Sequence, residues 1–138
     1  MPAGRRLAKE KRQTAPAREA GPSVVAQTLA ELRGLLGEEF PRLIKTYLAD
    51  AEQLMIQLRE ASELKDAARL KAAAHQLKSA SAYIGAVGLG RLAGDIESLA
   101  TSGRLHESGE RVRETQAELA RVTVALQRES GATTKAVA

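Results

Sequence analysis

The chain has 138 residues, no cysteine, and no apolar run near the roughly 20 residues that a membrane span requires. Disulfide bonds and thiolate metal sites are therefore excluded, and a reducing, cytoplasmic location is expected. Ala and Leu dominate the apolar residues, while two Tyr and one Phe are the only aromatic ones, which favours packed helices over sheets. The N-terminus is basic but lacks the apolar segment of a secretory signal.

The net charge of +4 comes from the N-terminal segment. Residues 1–22 carry six basic and two acidic side chains, and the rest of the chain carries 15 of each. The neutral remainder lacks the basic face, with aromatic or Arg readers, of a nucleic-acid-binding domain. Because residues 1–22 are also rich in Pro, Gly and Ala, we expect a disordered basic tail or linker. A weak contact of this tail with nucleic acid or an anionic surface is the alternative.

The first two predicted helices are separated by a glycine. Ser23 is expected to cap a first helix that ends near Leu36, before Gly37. A second helix is predicted over about 38–61, with Pro41 in its first turn, where no helical hydrogen bond is lost. Its apolar residues recur every three or four positions, which is typical of a core-facing stripe: Phe40, Leu43, Ile44, Tyr47, Leu48, Ala51, Leu54 and Leu58.

Three further helices are predicted in the second half of the chain. Asp66 is a suitable N-cap for a third helix, which should stop at Gly85. The fourth is expected over about 87–101, and the last over about 106–129. Their inward residues are predicted to be Leu89, Leu92, Ile96, Leu99, Val112, Leu119, Val122 and Leu126.

Four helices of this length, joined by short loops, predict an all-α fold, an up-down-up-down antiparallel four-helix bundle. The shorter N-terminal helix is expected to cap one end of it. The predicted organisation is a tail at 1–22, a bundle at 23–130 and a frayed C-terminus at 131–138.

The third predicted helix carries one histidine on its outer face. His75 lies about 160° around the helix from Leu77, which belongs to the apolar stripe. The histidine should therefore point into solvent. Its neighbours on that face are small residues and two lysines: Ala68, Lys71, Ala72, Lys78, Ser79 and Ala82.

His75 is the best candidate for chemistry in the sequence. No Ser–His–Asp arrangement can be assembled, and His75 has no His or carboxylate at i+3 or i+4, so a helical metal site is not predicted. Exposed imidazole is partly neutral at cellular pH and can act as a nucleophile. Lys71 and Lys78 could stabilise a transferring phosphoryl group. His106 follows a loop, lacks such surroundings, and is interpreted as a surface residue.

The segment around His75 resembles the signature of histidine-containing phosphotransfer (HPt) domains. The matching residues are His75-Gln76-Leu77-Lys78-Ser79-Ala80-Ser81, then Gly85-Ala86, Leu89, and the run from Leu92 to Glu97. The likeness covers about residues 24–128. The family usually has glycine where this chain has Ser79, which is still a small residue.

The resemblance implies a carrier in a phosphorelay rather than an enzyme. His75 would take a phosphoryl group from an aspartate of one response-regulator receiver domain and pass it to another. Lys78 would stabilise phosphate, and Gln76, with the small residues around His75, would contact the partner. No cofactor is expected on this chain, because Mg²⁺ and most catalytic groups would belong to the receiver. A hybrid sensor histidine kinase, membrane-anchored or not, is a further expected partner.

Two readings of another class stay open at this point. The bundle could be a structural or dimerising protein in which His75 is incidental. Alternatively, the tail could make the chain an auxiliary nucleic-acid binder, although no specific nucleic-acid or membrane contact is predicted for the bundle. The sequence does not distinguish a free-standing protein from a domain of a hybrid kinase, and it names neither the receiver nor the oligomeric state.

Overall fold

The computed structural model describes residues 23–130, and that range is helical without strands. The predictions for 1–22 and 131–138 fall outside the described residues. The α-helices are α1 (Ala26–Leu36), α2 (Phe40–Leu64), α3 (Ala67–Ile84), α4 (Val87–Thr101) and α5 (Ser108–Glu129), with short 3-10 turns at Gly37–Glu39 and Leu105–Glu107.

The four longer helices form a bundle around one core. The main contacts join α2 to α3, α3 to α4, α4 to α5, and α5 back to α2, so the four helices close a ring. Short connections between neighbours are consistent with the predicted up-down-up-down order. The short helix α1 packs against α2 and α3, and its Leu29 and Leu32 are buried. The helical bundle predicted from the apolar pattern is therefore the observed fold.

The turn between α2 and α3 and the end of α3 follow local sequence rules. Asp66 accepts a hydrogen bond from the backbone N–H of Arg69 at 3.1 Å, which confirms it as the N-cap of α3. Gly85 ends α3 with φ of 88°, a left-handed conformation that favours glycine. Lys65 ends α2 with φ of 56°, and its backbone N–H bonds to carbonyls of the last turn. The end of α2 lies three residues beyond Ala61, the position predicted from the sequence.

Three predicted helix starts were placed too early, and for α2 a 3-10 turn at Gly37–Glu39 precedes the observed start at Phe40. Ser23 does not cap α1, because the helix begins at Ala26 after an extended Val25 that makes no side-chain cap. The N–H of Val25 instead donates to the carbonyl of Gly85 at 2.9 Å, which joins the start of α1 to the end of α3. The last helix begins at Ser108 rather than His106, because the preceding three residues form a 3-10 turn.

The core between the helices is apolar with a few paired hydroxyl groups. The residues predicted to face inward are buried, apart from half-buried Leu43, Leu48 and Leu92. Tyr47 on α2 and Ser81 on α3 share a buried hydrogen bond of 2.8 Å. Within residues 23–130, no buried side-chain nitrogen or oxygen lacks a hydrogen-bond partner. None of the helices in this range has the length and apolar character needed to span a membrane.

Candidate functional site

His75 lies in the middle of α3, on the face turned away from the core. Its side chain is 60% exposed, whereas Leu77, two positions along, is completely buried. The contrast follows from the helical turn of about 100° per residue, which places the two side chains on nearly opposite sides. A partner molecule can therefore reach the imidazole directly.

A carboxylate from the neighbouring helix fixes the orientation of the imidazole. Nδ1 of His75 lies 3.0 Å from Oε2 of Glu97 on α4. Because a carboxylate only accepts hydrogen bonds, the proton is assigned to Nδ1, which donates a hydrogen bond to Glu97. In the neutral ring, Nε2 then has no proton and keeps its lone pair. The arrangement produces a nucleophilic nitrogen on an exposed side chain.

Lys78 shares the same carboxylate. Its Nζ lies 2.7 Å from Oε1 of Glu97, so each oxygen of Glu97 has one partner from α3. The Glu97 side chain is only 18% exposed. The hydrogen bond from Lys78, and to a lesser extent the one from His75, lowers the pKa of Glu97 against the opposing effect of desolvation. Glu97 is therefore a carboxylate at neutral pH, and it holds Lys78 beside the histidine.

The protein surface around the imidazole is nearly flat, because the neighbouring side chains are mostly small. Small side chains at positions 68, 72, 79 and 82 are exposed on the same face, and Lys71 and Gln76 are exposed as well, while Lys78 is half-buried. Alanine and serine project little from a helix, so a folded partner could approach the ring closely. The residues predicted to flank His75 are thus found on one exposed face of α3.

The contacts of Glu97 are not predicted by the sequence pattern. In the sequence this residue is only the end of the run from Leu92 to Glu97 that resembles the family signature, and no role is predicted for it. One feature of the sequence does indicate its location. Glu97 follows Ile96, which is buried, so its side chain lies at the border between the buried and exposed faces of α4. Its partners lie 19 and 22 positions earlier in the chain, a separation that helical periodicity cannot connect.

Other candidate centres receive less support. Within residues 23–130, no group of three acidic or histidine side chains is placed to hold a metal ion. His106 lies in the 3-10 turn before α5 with its side chain 76% exposed and its Nε2 3.6 Å from Glu107. It has no lysine-bearing helical face around it.

Comparison with known proteins decides the family. Residues 42–125, more than half of the chain, match the Hpt domain. The chain belongs to the Hpt domain family. Histidine phosphotransfer in phosphorelay signalling is accordingly its function, and its family partners are of the receiver-domain and kinase classes.

A solved structure extends this likeness to three dimensions. The crystal structure of histidine-containing phosphotransfer protein B (HptB) from Pseudomonas aeruginosa PAO1 is similar, with a TM-score of 0.77 and 28% sequence identity. The similarity covers 80% of this chain and 96% of that one. A comparison with curated protein sequences gave no match.

Proposed function

We propose that Nε2 of His75 is the atom of this Hpt domain that carries the phosphoryl group between receiver-domain aspartates. The observation that supports this choice is the hydrogen bond of 3.0 Å from Nδ1 of His75 to Glu97. It occupies one ring nitrogen and leaves the other with a lone pair on an exposed side chain. His106 has no comparable arrangement.

The transfer step follows from this protonation state. The lone pair of Nε2 attacks the phosphorus of an aspartyl phosphate in a receiver domain. The N–P bond forms as the P–O bond to the aspartate breaks, and the aspartate leaves as a carboxylate. The proton on Nδ1 stays in place, so the ring gains positive charge, which the nearby carboxylate of Glu97 stabilises. Transfer to a second receiver aspartate reverses these bond changes.

Lys78 is proposed to stabilise the charge of the phosphoryl group. Its side chain is 43% exposed, and its ammonium pairs with the carboxylate of Glu97, which also binds His75. A phosphorylated side chain carries about two negative charges at neutral pH, so the ammonium gains a second anionic partner when the ring is phosphorylated. The long, flexible stem of lysine allows a short movement between these partners.

The chain is proposed to act as a carrier whose partner supplies most of the catalytic groups. The face around His75 is composed mainly of small side chains, and both oxygens of Glu97 already have hydrogen-bond partners. These features suit docking of a receiver domain that brings its own Mg²⁺. Ala68, Lys71, Ala72, Gln76, Ser79 and Ala82 are the proposed contact residues.

The test is phosphoryl transfer from an isolated receiver domain. The receiver is phosphorylated in the presence of Mg²⁺ and mixed with the chain, and acid-labile phosphate is mapped by mass spectrometry. We expect label on His75 alone. The variant His75→Gln should lose the label and keep its helical content, because the side chain is exposed, whereas the control His106→Gln should be labelled normally. Label that survives in His75→Gln would overturn the assignment.

A further inference from the structure

The side chain of Lys78 crosses from α3 to α4 over a glycine. Its backbone belongs to α3, but its Nζ is 2.7 Å from Glu97 on α4. A Cβ built on Gly94 of α4 would lie 3.4 Å from Cδ of Lys78. The stem of the lysine therefore passes beside the space that a side chain at position 94 would enter.

Packing of the helices does not by itself require glycine at position 94. At Gly90, one turn earlier, a Cβ would be in ordinary contact with α3, with the carbonyl oxygen of Lys78 at 3.6 Å, Cβ of Ser81 at 3.9 Å and the amide nitrogen of Ala82 at 4.0 Å. At Gly94, apart from the adjacent residues and the backbone of α4 itself, the one atom within 4 Å among residues 23–130 is Cδ of Lys78. A Cβ at either position would be at ordinary van der Waals distance from its neighbours, so alanine would fit at 94, and the lysine stem limits only larger side chains. The neighbour beyond α4 is the stem of Lys78.

We propose that Gly94 is a positioning residue for Lys78, because a residue no larger than alanine at this position leaves open the path along which the lysine reaches Glu97 beside His75. The inference rests on the proposed role of Lys78 in phosphoryl transfer. A methyl group at 94 would sit at ordinary van der Waals distance from the stem. A longer side chain would occupy the path and direct the ammonium into solvent, away from both Glu97 and the imidazole.

The first test measures the position of Lys78 without any phosphoryl transfer. The pH titration of the Glu97 carboxyl is followed by ¹³C NMR in the wild type, Gly94→Ala and Gly94→Gln. Because the hydrogen bond from Lys78 is the largest cause of the lowered pKa of Glu97, we expect Gly94→Gln to raise it towards its ordinary value. Gly94→Ala should resemble the wild type. An unchanged titration in Gly94→Gln would overturn the inference.

The second test asks whether Gly94 acts through the lysine. Gly94→Gln should slow transfer from a phosphorylated receiver by about as much as Lys78→Ala, roughly ten- to a hundredfold. In the Lys78→Ala background the same substitution should change the rate by less than about twofold. A matched control is Gly34→Gln in α1, where an added side chain meets open space, and its rate should equal that of the wild type.

The outcomes separate this inference from the proposed function. If Gly94→Gln slows the Lys78→Ala variant by the full factor again, position 94 acts as part of the docking face, and the inference is wrong while His75 remains the carrier. If the wild type accepts no phosphoryl group at His75, the proposed function fails, and the Glu97 titration still decides whether Gly94 positions Lys78.

Discussion

Glu97 and His75 are 22 residues apart in sequence and are joined by a hydrogen bond of 3.0 Å between α4 and α3. The turn at Gly85 and Ala86 folds α4 back along α3 and makes this contact available. The bond gives the imidazole a defined tautomer as well as a defined orientation. Both properties bear on the rate at which Nε2 can attack phosphorus.

Removal of this carboxylate should impair transfer more than folding. Glu97→Ala should reduce the transfer rate by at least about tenfold, because the ring loses its orienting acceptor and the nearby negative charge. ¹⁵N NMR of His75 should change from a tautomer protonated at Nδ1 to a mixture. Glu97→Gln retains an acceptor oxygen, so its transfer rate should lie between those of the wild type and Glu97→Ala. The control is Glu107→Ala, which removes the ion-pair partner of Arg104 in the 3-10 turn before α5 and should leave the transfer rate unchanged.

The two lysines of the face should differ in their effect on rate. Lys78→Ala should slow transfer by about ten- to a hundredfold with little change in melting temperature, since an ion pair at the protein surface contributes only about 1 kcal/mol. Lys71→Ala should have a smaller effect, because within the described residues only Lys78 of this pair contacts the carboxylate that binds His75. Quench-flow measurement of both variants tests this. Equal rates for the wild type and Lys78→Ala would remove the lysine from the mechanism.

The low relief of the face predicts sensitivity to added bulk. Ala72→Arg should block transfer by preventing close approach of the receiver, while stability changes by only a few tenths of a kcal/mol at an exposed helix position. By contrast, Leu77→Ala should lose about 2–5 kcal/mol of unfolding free energy, because that side chain is completely buried. Transfer rates, circular dichroism and urea unfolding distinguish the two effects. Normal transfer by a folded Ala72→Arg variant would place the docking face elsewhere.

The buried pair of Tyr47 and Ser81 predicts an alkaline limit of stability. Burial raises the pKa of Tyr47 from 10.0 to about 12, and the hydrogen bond with Ser81 opposes that shift only in part. The unfolded chain therefore ionises this phenol at lower pH than the folded protein. The stability contributed by the neutral phenol is complete below pH 10 and is lost as the pH rises towards about 12.

Tyr47→Phe tests this pH dependence. At neutral pH the variant should lose about 1 kcal/mol, because the buried hydroxyl of Ser81 is left without its partner. Between pH 10 and pH 12 its stability should fall less steeply than that of the wild type. Urea unfolding at a series of pH values gives both quantities. Parallel profiles for the two proteins would contradict the assigned shift.

Much of the fold could be predicted from local patterns, and the errors have identifiable causes. Asp66 and Gly85 were correct because capping and the left-handed conformation depend on one residue and its immediate neighbours. Ser23 was wrong because the start of α1 is set by a hydrogen bond from Val25 to Gly85, about 60 residues away along the chain. The end of α2 was predicted too early. The helix ends at Lys65 in a left-handed conformation, which a lysine in the sequence does not indicate.

The sequence by itself determined which helices form and which face of α3 is exposed, because the apolar repeat and the helical turn are local properties. Helical periodicity also places His75, Lys78 and the small residues on the same face of α3. Only the tertiary structure decided that both polar side chains meet Glu97, and that Lys78 passes over Gly94 to reach it. The reason is physical: these contacts depend on the register of α4 against α3, which is set by packing between helices and not by periodicity within either one.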